Sequence, residues 1–578
     1  MKSKKSREKQ ESGAHVIVAA LKRHGITKVF MYPGGTIAPI LHAIETKSDI
    51  KIICARSEQG AGYAALAYAR LTGTPAVMMV TSGPGVTNAV TPIADAYFDN
   101  VPLVLFTGQV GTSELRGKIP VRQRGFQECD TVDIFTPVSK SARLITDVRV
   151  LPDALEKAFF DAQHGRKGPV VLDLPMDVQR AVVSTKHFLP IQARTVAPAR
   201  PPAGKIKQLA QLIQRAERPI LLAGGGVIAS GAEDELRKLA ERHCIPVVMS
   251  LPGIGAYPSE KPLSLGLIGY VGSEYANRAL HAADLVICVG TTLHVRQTGS
   301  LPTKMAPWAT IVRIDIDREE LVHSRVPTHL YIHADARAAL RQLLAVRTRV
   351  TKGATDAWRA QIDECRAQYP LTVGGGTKLK PQQVIAMVDE ATRSMKPVIV
   401  TTGVGQHQMW VPRHFQFDVP QRQLLTSSGH GTMGFDLPAA IGAKIARPDA
   451  TVICFVGDGS LQMNIQELAT VVDLNLDINI IVLDNHSLNI VAQFQRQNWK
   501  SHPTTGDKYN PNFADIAQAY GIWSVEIKSQ RGAKAALSRA LRRKGPVLIH
   551  CTVDQKEDLL PMLLGGHELD DMSSLSSF

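Results

Sequence analysis

Residues 451–485 read TVICFVGDGSLQMNIQELATVVDLNLDINIIVLDN, and this stretch decides the fold. An apolar run ends at Gly457-Asp458-Gly459-Ser460, a helix-period stretch follows, and a second apolar run ends at Asp484-Asn485. Buried parallel strands read as such runs, and strand, glycine turn, helix, strand is a βαβ unit. Asp458 ends the first strand and Asn485, 27 residues later, ends the next. Both side chains then stand at carboxyl ends of parallel strands, where open α/β sheets bind ligands. A carboxylate and an amide oxygen are hard donors suited to Mg²⁺, which keeps few protein ligands and takes phosphate oxygens besides. The glycines let backbone N–H groups and a helix N-terminus approach a diphosphate. Taken alone, Gly-Asp-Gly reads more readily as a plain turn with a solvated aspartate.

The same pattern occurs earlier in the chain. AVMMV at Ala76 is followed by TSGPG, a helix and PLVLFTG, with Gly83 and Leu103 20 residues apart against 21 for Gly457 and Ile478. Similar apolar runs alternate with amphipathic stretches throughout, among them Val170–Leu174, Ile220–Ala223, Leu285–Val289, Val312–Ile316 and Val398–Thr401. The pattern predicts an α/β protein of three doubly wound domains with parallel sheets, two alike and flanking a third. Two stretches without apolar periodicity, Leu189–Gly204 and Tyr369–Lys380, read as linkers. The expected organisation is a disordered basic arm at 1–14 and domains at 15–188, 205–368 and 381–578.

The 578 residues carry 66 Lys and Arg against 52 Asp and Glu, a net charge of +14. The arm supplies part of it and the rest is scattered without interleaved aromatics, so neither nucleic acid nor membrane is an expected partner. No run of about 18 apolar residues occurs, and no secretory signal opens the chain. The seven cysteines are dispersed, with no CxxC pair. This is a reduced, cytoplasmic pattern without a disulfide framework or a zinc site.

A second constellation is Arg56-Ser57-Glu58-Gln59-Gly60-Ala61-Gly62, opening an Ala-rich helix. A glutamate in a first turn is favoured by the helix dipole, and the small residues behind it mean close packing. The third is Val404-Gly405-Gln406-His407-Gln408-Met409-Trp410, followed by SSGHGTMGFDLPAAIGA from Ser427.

Together these strings resemble the thiamine-diphosphate enzyme family, and within it the acetolactate synthase (acetohydroxy acid synthase) large subunits. MYPGG at Met31, EQGAGYAALAYAR at Glu58, GFQE at Gly125, GPVVLDLPMDVQ at Gly168, AGGG at Ala223, IDID at Ile314 and LPML at Leu560 extend the likeness over about residues 15–570. The resemblance implies that Asp458, Asn485 and the Ser487 carbonyl ligate Mg²⁺. It places Val404, Gly405, Gln406, His407, Gly431, Met433, Gly457, Gly459, Ser460, Leu488, Asn489 and Ile490 at thiamine diphosphate. Met433 shapes the bound cofactor. Glu58 becomes the general acid/base, acting on the pyrimidine N1′. Gln127 after Phe126 handles protons or acceptor, and Gly34, Gly35, Met176, Arg296 and Phe494 face substrate.

FAD without a redox role is implied for the middle domain, with Arg166, Gly224, Gly225, Ser250, Leu251, Arg296, Asp315, Ile316 and Asp335 as contacts. Thr292 stands where the family often has arginine. The implied reaction is decarboxylation of pyruvate and addition of the two-carbon unit to a second 2-oxo acid. The implied assembly is a homodimer or tetramer with active sites at the interface and a small regulatory subunit as a possible partner. Asp484 replaces the first Asn of the usual metal-motif pair, and other departures bear on the acceptor: Met176 replaces an entrance lysine, Phe494 a tryptophan and Gly403 an aspartate. They leave open transfer to a keto-sugar or another ketone. Further alternatives are a pyruvate oxidase-like enzyme and a non-catalytic protein of this fold.

Overall fold

The computed structural model describes residues 10–187, 190–192, 194, 200–347, 352–499, 505, 506 and 508–573. Three six-stranded sheets carry the fold, and every strand pairing within them is parallel. In the first, the spatial order is Lys51–Cys54, Lys28–Met31, Ala76–Val80, Leu103–Gln109, Pro169–Pro175, Ser141–Leu144. In the third it is Arg422–Thr426, Val398–Thr402, Thr451–Gly457, Ile478–Asp484, Val547–Thr552, Trp523–Ile527. Counted within each block the two orders are identical, which is the likeness between first and third blocks that the glycine-turn spacing indicated.

The middle sheet runs Ser264–Leu267, Val247–Met249, Pro219–Ala223, Leu285–Val289, Thr310–Asp315, Leu330–His333. Its first and fourth strands are neighbours, so the chain reverses direction across the sheet between Ala223 and Val289. Ligands of doubly wound sheets bind at that switch point.

The central strands are buried from end to end. Ala76–Val80, Leu103–Gln109, Pro169–Pro175 and Ile478–Asp484 have no position open to solvent, as expected for sheets covered on both faces. One apolar core belongs to the first sheet. Another runs continuously from Leu221 and Val289 of the middle sheet to Ile453 and Ile481 of the third.

The chain forms two compact units. One holds the first sheet with Ser427–Pro448 and Asn464–Leu476; the other holds the middle and third sheets. Two segments of the expected 381–578 domain thus group with the first sheet, while all six strands of the third sheet lie inside that domain. The reason is visible at helix Asp436–Ala446, which packs on helix Glu58–Thr72: a Cβ at Gly442 would lie 2.0 Å from the Ala64 carbonyl oxygen. Only small residues allow two helices to come that close.

Two expected boundaries shift. Gln10–Ser12 pairs as a strand with Val182–Ser184, and a helix starts at Gly13, so the arm read as reaching residue 14 is ordered chain from Gln10. A helix begins at Ala203, inside the stretch read as the first linker. Residues 1–9 and most of 188–199 lie outside the described residues.

Candidate active site

Glu58 opens a helix whose start is fixed by Ser57, the side chain of which accepts the Gly60 N–H at 3.0 Å, and whose end is fixed by Gly73 at φ 70°. Such a cap and a left-handed glycine define both ends of a helix. The Glu58 side chain is 8% exposed. Its Oε2 accepts Asn88 Nδ2 at 3.0 Å. Asn88 stands in the first part of the helix that follows TSGPG.

That turn gathers the rest. A Cβ at Gly85 would sit 3.5 Å from Glu58 Oε1, one at Gly83 3.0 Å from Gln127 Cβ, and one at Gly34 2.3 Å from Thr81 Cβ. The hydroxyl of Thr36 accepts Ser82 N at 2.9 Å and lies 2.9 Å from that of Thr81. The carboxyl edge of the first sheet therefore brings Glu58, Gly34, Gly83, Gly85 and Gln127 to one turn. Gln127 has φ 63°, unusual for a residue with a Cβ, and Phe126 before it is 84% exposed. Met176 follows the adjacent strand Pro169–Pro175 and opens a short helix.

The segment carrying Gly431 and Met433 belongs to the same unit. Ser427 Oγ donates to Asp95 Oδ1 at 2.9 Å and accepts the N–H groups of Gly431 and Thr432. Asp99 takes the N–H groups of Ser428 and Gly429, and Asn464 Nδ2 holds the Gly434 carbonyl at 2.7 Å. Burial and the neighbouring Asp99 charge push the Asp95 carboxyl up to about 7.

In the other unit, Asp458 and Asn485 stand at the ends of neighbouring strands. Asp458 Oδ2 and Asn485 Oδ1 accept the same N–H, that of Ser487, at 3.2 and 3.1 Å. Ser487 Oγ and Leu488 N both donate to the Thr505 carbonyl, at 2.8 and 2.9 Å. Burial, then the Asp484 charge, pushes Asp458 up to about 6. Two hard oxygen donors converging on one turn, one of them a carboxylate that burial leaves short of positive charge, fit a small divalent cation.

Gly405 and Gly457 both lie against the His407 imidazole; a Cβ at either would come within 2.7 or 3.3 Å of Nδ1. Gln406 exchanges hydrogen bonds with Gln493 and Asn489 at 3.1 Å each. Val404, Gly459 and Ile490 are half-buried and Ser460 is buried around them.

Sequence reasoning missed Asn510 and His550. Asn510 Nδ2 donates to Asp458 Oδ2 at 2.6 Å and to Asp484 Oδ1 at 2.7 Å. His550 Nε2 lies 2.8 Å from Asp484 Oδ2. The one available signal was a histidine inside the apolar run VLIHCT; Asn510 carried none.

At the switch point of the middle sheet, a Cβ at Gly224 would lie 2.0 Å from the Gly290 carbonyl oxygen, and one at Gly226 2.6 Å from Gly290 Cα. Chain packing therefore already demands these glycines. What points to a ligand is Ser250, fully buried beside them with a hydroxyl that has no partner among the described residues. Asp315 Oδ1 accepts Asp317 N, and Asp335 Oδ1 accepts Ala338 N as a helix cap. Leu251 and Ile316 are half-buried. Arg296 is half-buried, and burial holds its guanidinium below the usual range. Arg166 lies in the first unit, bonded to Asn100. Phe494 is exposed and packs edge-on against Trp499.

Family models for thiamine pyrophosphate enzymes match along the chain: the N-terminal TPP binding domain at 11–134, the central domain at 206–343 and the C-terminal TPP binding domain at 403–551. The chain is 38% identical to acetolactate synthase 2, chloroplastic, of Nicotiana tabacum, over 98% of this chain and 85% of that one. It is 38% identical to the acetolactate synthase isozyme 3 large subunit of Escherichia coli, over 97% and 98%. Against the mitochondrial acetolactate synthase catalytic subunit of Saccharomyces cerevisiae it is 36% identical, over 97% and 83%. The chain belongs to the acetolactate synthase family of thiamine pyrophosphate enzymes. In this family member, among the described residues, no helix is long and apolar enough to cross a membrane.

Proposed function

We propose that the chain is an acetolactate synthase: it decarboxylates pyruvate and joins the remaining two carbons to the carbonyl of a second 2-oxo acid. The observation that carries this most is Glu58, buried and held by Asn88, facing the same turn at 81–85 as Gln127. Bound thiamine diphosphate supplies the nucleophilic carbon and the electron sink for decarboxylation. Asp458, Asn485 and Ser487 hold the divalent cation, and Gly405, Gln406, His407 and Gly457 line the diphosphate. Met433 supports the cofactor from its Ser427-anchored segment. Glu58 holds the proton exchanged at the pyrimidine N1′, and Asn88 orients the carboxyl for it. Gln127 handles protons at its turn in the first unit, and Arg296 in the other unit offers the guanidinium that matches an acceptor carboxylate.

Three further assignments rest on the same reading. FAD occupies the crevice at Ala223 and Val289, supported by the switch-point topology and by the buried Ser250 hydroxyl, which has no partner among the described residues. The working form is a homodimer or larger, supported by the exposed aromatic side chains Phe126 and Tyr509 at 84% and 91%. None of the seven cysteines forms a disulfide among the described residues, which supports a reducing compartment such as the cytoplasm.

The test is pyruvate alone with thiamine diphosphate and Mg²⁺, followed by product analysis. Acetolactate is the expected product. Release of carbon dioxide without acetolactate overturns the acceptor and moves the chain to the carboligases that use a keto-sugar or another ketone, which Met176 and Phe494 would admit.

A further inference from the structure

Beneath the Phe126–Gln127 turn lies a buried polar pair that the proposed chemistry does not use. Strands Leu103–Gln109 and Pro169–Pro175 run side by side with Thr107 opposite Asp173. Asp173 is 2% exposed and Gln109 1%. Asp173 Oδ1 accepts the Thr107 hydroxyl at 2.6 Å, and Oδ2 accepts Gln109 Nε2 at 2.9 Å. The Thr131 hydroxyl also bonds this carboxylate. A carboxylate in the middle of an apolar sheet is costly unless hydrogen bonds satisfy it, and burial raises this one to about 6.

Gln109 has no freedom to turn. Its Nε2 also donates to the Cys129 carbonyl at 2.9 Å, and its Oε1 accepts Val110 N at 3.0 Å. Flipping the amide would set its oxygen against both a carboxylate and a carbonyl, two acceptors with no proton between them. Cys129 comes two residues after Gln127. From the other side Glu128 closes the loop, its carboxylate accepting the N–H groups of Arg116, of Arg124 at 2.8 Å and of Gly125 at 3.3 Å. Gln127 is thereby kept at φ 63° over Gly83, two residues before the glycine that faces Glu58.

We propose that Asp173 and Gln109 are positioning residues: the Asp173 carboxylate fixes the Gln109 amide, and that amide ties down Cys129 and so holds the Phe126–Gln127 turn in register with Glu58. This rests on the proposed function only in giving the turn a part in handling substrate.

The test is the exchange Gln109→Glu with Asp173→Asn. In the double variant the introduced asparagine can donate to the introduced glutamate, so the strand-to-strand bond is rebuilt. That glutamate has no N–H for the Cys129 carbonyl, so the tether is not. A purely structural role predicts recovery of everything. The proposal predicts a folded protein with faster hydrogen exchange in 115–131, 103–107 unchanged, and kcat/KM for pyruvate consumption down about ten- to a hundredfold, the scale of misplacing a reacting group by about 1 Å. If the double variant does not fold, Gln109→Met with Asp173→Leu removes both polar groups together, which is tolerated far better than removing one, and carries the same readouts. Parent-like exchange in 115–131, or parent-like kcat/KM, in a folded variant overturns the proposal. Consumption is read as carbon dioxide released, so the result stands whichever acceptor is used; failure of the acceptor assignment appears separately, as missing acetolactate in the parent.

Discussion

Asp484 and His550 form a buried pair, with Asp484 Oδ2 2.8 Å from His550 Nε2 and the two side chains 1% and 5% exposed. Asp484 stands where the family motif has its first asparagine. The third sheet sets Asp484 opposite Thr552, so His550 is its diagonal neighbour two residues back on the same face. Asp484 also takes the N–H of His486 and shares the Asn510 amide with Asp458. Although burial opposes ionisation, the bonds from His550, His486 and Asn510 hold Asp484 below the usual carboxylate range. The chain thus carries a second carboxylate beside Asp458 and, two residues along the next strand, the group that satisfies it.

Removing His550 leaves that carboxylate buried and short of a partner. His550→Leu is expected to destabilise the protein by about 3 kcal/mol, the scale for breaking a buried pair from one side. His550→Leu with Asp484→Asn removes the uncompensated charge and is expected to recover most of the loss. Thermal melts of both variants check this, and equal destabilisation in both would show that the pair does not matter.

Glu58→Gln keeps the shape of the side chain and its contact with Asn88 but cannot deliver a proton. Turnover is expected to fall by about 10²–10⁴ with pyruvate at saturating cofactor, the usual size of a general acid/base contribution. Cofactor binding, followed by calorimetry, should stay within a few-fold of the parent.

The carboxyl ends of the strands were legible because buried parallel strands write themselves as apolar runs, and Gly-Asp-Gly at 457–459 and Asp484-Asn485 mark where two of them stop. The switch point of the middle sheet was legible the same way, but Gly224 and Gly226 are no signal by themselves: their packing against Gly290 requires glycine with or without a ligand. Asn88, Asn510 and Gln109 were not legible, because each reaches its partner across sheet register or a loop and leaves no periodic trace. The division of the third block was hidden too. LPAAIGA announces a helix with a narrow face, but nothing in it says that the partner is the equally narrow face of EQGAGYAALA at 58–67.

Asp95 predicts how stability varies with pH. Its carboxyl is raised from an ordinary 3.8 to about 7, first by burial and then by Asp99, against the opposing Arg70, Ser427 and Thr432. The folded form therefore holds a proton that the unfolded chain has lost. Below about pH 4 both states are protonated; between about 4 and 7 the folded state loses up to about 1.4 kcal/mol per pH unit from this group. Asp95→Asn removes that slope. The melting temperature of the parent should fall relative to the variant by a few degrees between about pH 5 and 7.5; parallel curves would show that Asp95 is ionised throughout.

Arg296 tests the acceptor. Its helix begins at Val295, and its carbonyl takes Tyr270 N at 3.0 Å, while Leu563 N reaches the Tyr270 carbonyl at 2.8 Å, so the LPML tail braces the loop that presents it. Arg296→Lys keeps the charge and loses the two-pronged match to a carboxylate. If the acceptor is a 2-oxo acid, the variant should release carbon dioxide from pyruvate at close to the parent rate and form acetolactate with a KM raised about tenfold, about 1.4 kcal/mol of lost binding. Preference between pyruvate and 2-oxobutanoate should be weak in parent and variant alike. One methylene is worth only about 1–3 kcal/mol even in a closed apolar pocket, and Phe494, 55% exposed, offers that methyl group less apolar surface than a tryptophan would. Competition between labelled pyruvate and 2-oxobutanoate measures both quantities. Strong selection for 2-oxobutanoate by the parent would place the discriminating surface elsewhere than Phe494, and an Arg296→Lys enzyme with an unchanged KM would take the acceptor carboxylate away from Arg296.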